Sequence, residues 1–270
     1  MSTPPLLRLH AAMPRIAGRE FGPFDLTLAA GERVAILGPS GAGKSTLLRL
    51  MAAELAPRRG ELRLAGIPIG DWARPALARR RAVLPQSHSV AFGLPVALVV
   101  GLGRVAREPD AVQADIVAAA LALAQADHLA RRRFDTLSGG EQARVQLARV
   151  FAQLWDEREA LLLVDEPLAA LDPGLQFDLM DAMHEFAEQR KHALVAVLHD
   201  LNQAMARFDR LWLLKGGVLH GDLRSGRMAI GALERLYGIG LRCLDDAAAR
   251  GGFVLVADRR VTATSAGGVR

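Results

Sequence analysis

Three short stretches carry residue types whose spacing suits the binding and cleavage of a phosphate chain. The first is Gly38-Pro39-Ser40-Gly41-Ala42-Gly43-Lys44-Ser45. It matches a glycine, four variable residues and then Gly-Lys-Ser/Thr. Glycines let backbone N–H groups converge on phosphate oxygens with no Cβ in the way. A helix starting at the loop's end adds partial positive charge. Lys44 offers an ammonium to the β- and γ-phosphates, and the Ser45 hydroxyl offers an oxygen to Mg²⁺. Thr46 continues the same contact stretch. The second is Leu161-Leu162-Leu163-Val164-Asp165-Glu166, an apolar run ending in two carboxylates. Asp165 is placed to reach the magnesium shell, and Glu166 to accept a proton from an attacking water. The third is Leu137-Ser138-Gly139-Gly140-Glu141-Gln142. A serine N-cap followed by two glycines exposes helix N-terminal N–H groups to an anion.

Chemistry of this kind needs strands that end at the loops and helices that leave them. Arg33–Leu37 is a short apolar run before the glycines and reads as a buried strand, with Ser45–Glu54 following as a helix. Glu61–Ala65 alternates as a half-exposed strand does, and Ala82–Leu84 reads as a strand running into Pro85-Gln86. From Gly93 to Phe134 no strand pattern is visible, and Ala111–Ala126 has helical spacing. Leu94–Leu102 fits either a buried helix turn or a core strand. After this the β pattern returns: a strand at Ala160–Val164, a helix at Gly174–Gln189, then strands at Ala193–Leu198 and Leu211–Leu214. Lys215-Gly216-Gly217 marks a hairpin turn. The tail from Met228 holds a short helix and room for two strands. Alternating strands and helices require an α/β fold with a mostly parallel sheet. The expected organisation is a P-loop core at 1–86 and 135–237, a helical subdomain inserted at 87–134 and a C-terminal appendix at 238–270.

The bulk composition narrows the classes. At 270 residues the chain is long enough for one large core or two modest domains. Its single cysteine, Cys243, excludes an internal disulfide framework. No apolar run approaches the roughly 20 residues that span a bilayer, and the start lacks the features of a secretory signal. The expectation is a chain soluble by itself or peripheral to a membrane partner. The net charge of +5 is compatible with a solvated surface, phosphate binding, anionic lipid or nucleic acid, and does not choose among them.

The hexapeptide Leu137–Gln142, downstream of a P-loop, resembles the signature of the nucleotide-binding subunit of ABC transporters. The resemblance covers roughly Leu7 to Tyr237. It implies the ABC ATPase fold, which adds an antiparallel β portion to the parallel core, with ATP and Mg²⁺ as ligands. Gln86 resembles the Q-loop glutamine, which contacts Mg²⁺ or water and senses the membrane partner. Ala170-Leu171-Asp172 resembles the D-loop, and His199 the histidine that contacts the γ-phosphate. Where the family stacks adenine on an aromatic residue, this chain has Pro14-Arg15-Ile16. Arg15 or Phe21 is expected to take that role. The family arrangement implies two copies facing head to tail, with the P-loop of one and Ser138–Glu141 of the other closing on the same ATP. Separate ATPase and permease chains are the habit of bacterial importers. The implied partners are a permease dimer, docked around Ser87–Arg107, and indirectly a periplasmic substrate-binding protein. The implied place is the cytoplasmic face of the inner membrane. A soluble ABC ATPase acting on nucleic acid would carry a second ATPase half, a coiled-coil arm or a zinc insert. None is visible, so no nucleic-acid partner is expected. Arg79–His88 resembles the iron-chelate, cobalamin and hemin importers, and within that group Leu84-Pro85-Gln86 followed by Phe92, Val99–Arg104, Ala152–Trp155 and Val197–Asn202 look most like the hemin importers. Hemin is the expected cargo, with another chelate or a corrinoid as the alternative.

Overall fold

The computed structural model describes residues 4–85, 93–107, 109–166, 172–246 and 252–258. The chain opens with β1 (Leu7–Met13), the small hairpin of β2 (Arg15–Ile16) and β3 (Arg19–Glu20), and β4 (Phe24–Leu28). Next β5 (Arg33–Leu37) runs into the glycine loop and α1 (Lys44–Met51). β6 (Arg59–Leu64) and β7 (Ile67–Pro68) come after it, and α2 (Arg74–Arg80) leads to β8 (Arg81–Leu84). The helical stretch holds α3 (Val96–Gly101), α4 (Gln113–Leu123) and α5 (Gly139–Leu154). Then come β9 (Leu161–Asp165), α6 (Pro173–Arg190), β10 (Ala193–Val197), α7 (Leu201–Arg207) and the hairpin of β11 (Arg210–Lys215) and β12 (Val218–Arg224). The chain closes with α8 (Ile230–Tyr237) and the hairpin of β13 (Gly240–Asp245) and β14 (Phe253–Asp258).

The main sheet has six strands in the order β12-β11-β5-β10-β9-β8. All neighbours are parallel except β11 and β12. Parallel strands covered on both faces read as continuous apolar runs, and every residue of β10 is buried. Their side chains still alternate between two cores. Val34, Ile36, Leu161, Leu163, Val195 and Val197 face α1 and a second, four-stranded antiparallel sheet of order β4-β1-β6-β7. Ala35, Leu37, Leu162, Val164, Leu194 and Ala196 face the opposite way, where α5, α6 and α8 contribute. In the second sheet one face is wet, so Phe24–Leu28 strictly alternates buried and exposed residues.

α3 and α4 both pack on α5, which also contacts β8, so the inserted helices share one core with the sheet. Among the described residues no helix is long and apolar enough to cross a membrane. Strand register places the loops at one edge. Val197 lies opposite Ile36 on one side and Asp165 on the other. The carboxyl ends of β5, β10 and β9 therefore open side by side, which is where α/β sheets bind ligands.

Candidate functional site

The glycine loop turns from β5 into α1 through Gly43, whose φ of 96° is left-handed. A Cβ there would also come within 2.9 Å of the Phe21 ring, so both conformation and space call for glycine. The turn buries Lys44, whose Nζ donates to the carbonyls of Gly38 (3.0 Å) and Pro39 (3.2 Å) and lies 3.9 Å from Glu166 Oε1. Burial pushes the Lys44 ammonium below the usual lysine range, while the charges of Glu166 and Asp165 oppose that. The next residue, Ser45, donates its hydroxyl to Asp165 Oδ1 at 3.1 Å, joining the helix start to the end of β9. Burial raises the Asp165 carboxyl above the usual range and the Ser45 bond works against it.

Glu166 comes directly after Asp165 and takes a left-handed backbone, φ 45°, uncommon for a residue with a Cβ. Its Oε1 lies 2.6 Å from His199 Nε2, just past the end of β10. Glu166 is largely buried and His199 is 54% exposed, so the pair joins the sheet interior to the open side of the site. A cavity of about 440 Å³ gathers Phe21, Ser40, Gly41, Ala42, Gly43, Lys44, Ser45, Thr46, Glu166 and His199. A glycine loop at a helix start, one buried ammonium and an adjacent serine–aspartate oxygen pair suit a polyphosphate with a hard divalent cation.

The signature stretch lies elsewhere. Ser138 caps α5 in a reciprocal box: its Oγ accepts from Glu141 N at 3.3 Å, and Glu141 Oε2 accepts from Ser138 N at 2.7 Å. Arg132 also holds Glu141, at 2.7 Å. The Glu141 side chain is thus spent on its own helix start, which holds its carboxyl below the usual range, through the Ser138 backbone bond first. Asp172 is the N-cap of α6, accepting from Leu175 N at 3.0 Å. Leu175 in turn abuts Gly140, where a Cβ would stand 2.6 Å from its Cδ2. The starts of α5 and α6 therefore form one surface. Among the described residues, neither Ser138–Glu141 nor Asp172 lines the phosphate-loop cavity.

Of the two base-stacking candidates, the cavity takes Phe21 rather than Arg15. Arg15 is exposed on β2, with its Nε donating to Gly18 O at 3.2 Å. The Phe21 ring instead sits under Gly43 and carries the Arg19 guanidinium 5.0 Å from its centroid. Gln86, Ala170 and Leu171 lie outside the described residues. Sequence reasoning missed Tyr237, whose hydroxyl accepts from Gly38 N at 3.0 Å, because 199 residues of sequence separate the two.

A strand, a glycine loop and a helix, with a carboxylate from a neighbouring strand on the loop's serine, define a P-loop nucleotide-binding core. The ABC transporter family profile matches residues 21–169, and the chain belongs to that family. It is 50% identical over 202 residues to the hemin import ATP-binding protein HmuV of Pseudomonas aeruginosa, covering 73% of this chain and 78% of that one. Against the hemin import ATP-binding protein HmuV of Nocardia farcinica the identity is 48% over 212 residues, covering 76% and 71%. Among solved structures, a nucleotide-free ATP-binding cassette from an ABC transporter superposes with a TM-score of 0.73 over 87% of this chain and 95% of that one. At 18% identity, that is a likeness of fold.

Proposed function

We propose that this chain is the ATP-hydrolysing subunit of a bacterial hemin importer, working as a head-to-tail pair on the cytoplasmic face of the inner membrane. The observation that carries the ATPase reading is the cavity in which Lys44, the Ser45–Asp165 pair and the Glu166–His199 pair meet. The loop N–H groups and Lys44 bind and orient the phosphates. Ser45 and Asp165 would hold Mg²⁺, which supplies charge neutralisation on the phosphate oxygens when bound. Glu166 accepts the proton of the attacking water. His199 fixes the Glu166 carboxylate and reaches the open side of the site. Positioning and electrostatics of this kind account for most phosphoryl-transfer catalysis.

Pairing is supported by the exposed signature: Ser138 and Gly139 face solvent, away from their own chain's cavity. A permease contact is supported by α3 and the turn after it. Val96, Val99 and Val100 are core, while Leu98, Leu102 and Val105 are 50%, 47% and 60% exposed. Hemin as cargo is supported by kinship with the HmuV proteins. The subunit does not touch the cargo in this reading, and its site carries no cargo chemistry.

A strain lacking this gene, grown with hemin as sole iron source, tests the proposal. Growth should fail, return with the intact gene, and not return with Lys44→Ala. Normal growth on hemin with failed uptake of another iron chelate or a corrinoid would move the cargo and keep the motor. A purified wild-type chain that neither binds nor hydrolyses ATP would end the reading altogether.

A further inference from the structure

The phosphate loop is anchored from a direction that its own motif does not foretell. Gly38, its first residue, is buried between two groups. A Cβ would stand 2.2 Å from Leu214 O on β11, and the Gly38 N–H donates to the phenol of Tyr237, the last residue of α8. The same Gly38 presents its carbonyl to Lys44 Nζ at 3.0 Å. One residue therefore connects the C-terminal helix to the ammonium that meets the phosphates. Tyr237 is the chain's single tyrosine. Burial raises its phenol above the usual range, so it stays an uncharged partner for the N–H.

The unit that carries Tyr237 is tied to the other side of the site as well. Asn202, in the first turn of α7, pairs with both backbone groups of Leu255 on β14: Nδ2 donates to Leu255 O at 3.1 Å, and Leu255 N donates to Oδ1 at 2.7 Å. A side-chain amide used at both ends this way mimics one more strand pairing. Asn202 stands three positions after His199, and Asp200 caps the same helix through the N–H groups of Asn202 and Gln203. Within the unit, Leu241 N donates to Glu234 Oε1 at 2.8 Å, fastening the hairpin to α8.

We propose that Tyr237 is a positioning residue for the nucleotide site, and that α8 with the β13–β14 hairpin is a brace joining the phosphate loop, through Tyr237–Gly38, to the histidine-bearing segment, through Leu255–Asn202. The proposal rests on the ATPase reading of the site. The brace touches no phosphate. It fixes the peptide from which Lys44 and the N–H groups after it are aimed, and a misaimed loop weakens ATP contact before it weakens chemistry.

The test is steady-state ATPase kinetics of the full chain, with nucleotide affinity and thermal midpoint measured on the same samples. Tyr237→Phe keeps the ring and removes only the acceptor. We expect KM for ATP and the nucleotide Kd to rise about five- to tenfold, with kcat within about twofold and the thermal midpoint lowered by a few degrees at most, as loss of one hydrogen bond predicts. Asn202→Ala should raise KM in the same direction, and the double variant should cost less than the product of the two, because both act through one brace. An unchanged KM and Kd in Tyr237→Phe, with or without a lower midpoint, overturns the proposal and makes the contact merely structural. Full independence of the two variants overturns the brace. If Tyr237→Phe does not fold, amide exchange of the intact chain decides: a Gly38 N–H protected like the β5 core amides supports the anchor, and exchange at loop rates overturns it. Absence of ATPase and ATP binding in the wild type would instead defeat the reading on which the proposal rests.

Discussion

The molecule presents two glycine-bearing helix starts proposed to bind phosphate, and the two are finished to different degrees. At Gly38–Thr46 the loop is met by the neighbouring strands on one side and open to solvent on the other. Lys44 is buried, Ser45 is bonded to Asp165, and Glu166 and His199 line the cavity from neighbouring strands. At Ser138–Gly140 the helix start is well capped yet faces outward, and among the described residues it lines no part of that cavity. The first is built by a parallel sheet, whose register delivers three strand ends to one place. The second is built at one helix terminus, whose capping box is steadied by Arg132 and packed against Leu175 at the start of α6. In the proposed head-to-tail pair, the open side of one chain's loop would meet the outward-facing helix start of the other.

The comparison is broken most forcefully at the loop half. Glu166→Gln should lower kcat by roughly 10²–10⁴-fold, the usual contribution of a general base. It should leave ATP binding intact and make the chain elute as a dimer with ATP; wild-type turnover would remove Glu166 from the chemistry. Next comes the division of labour itself. Lys44→Ala removes the ammonium, and Ser138→Arg fills the outward cradle; each alone should lose ATPase activity by about 10²-fold, the scale of a lost oxyanion donor. Mixing the two inactive variants should restore activity, because a mixed pair retains one composite site with an intact loop and an intact signature. A mixture as inactive as its parts would mean that the two halves do not meet across a pair.

Acid should act on the loop half through its scaffold. His192 begins the turn into β10, is 1% exposed, and accepts from Ala160 N at 3.0 Å. Burial depresses its imidazole from 6.5 to about 4. A depressed folded value means that the unfolded chain takes the proton first. Stability present above pH 6.5 is then lost as pH falls toward about 4, by on the order of 3 kcal/mol in all. Denaturant midpoints at a series of pH values should show the loss, and His192→Gln should flatten it. The smallest effect is expected outside both halves. Arg15→Ala should leave ATP affinity within about twofold, since exposed side-chain changes away from contacts cost little; a large loss would bring Arg15 back as the base-stacking residue in place of Phe21.

Much of this was legible in the chain because it is local. The loop, the carboxylate pair and the capped signature are contiguous motifs, and β5, β8, β9, β10 and β11 stand within about two residues of where apolar runs placed them. The strands at Leu7–Met13 and Phe24–Leu28 were not read from the sequence: Phe24–Leu28 does alternate, but β1 loses its alternation at a bulge between Leu9 and Ala12. The short α2 and α7 carry too few turns for periodicity to declare them. The choice between Arg15 and Phe21 could not be made from types and order, because it depends on which way the β2–β3 hairpin turns its side chains.

The sequence by itself determined the phosphate loop, the two acidic residues and the family, since each is written in consecutive residues whose chemistry is fixed by type. Only the tertiary structure decided that Ser45 meets Asp165, that Glu166 in a left-handed turn receives His199, and that Tyr237 holds Gly38. Those contacts are set by strand register and helix docking, which depend on how the buried faces of distant segments fit, and no local pattern encodes that fit.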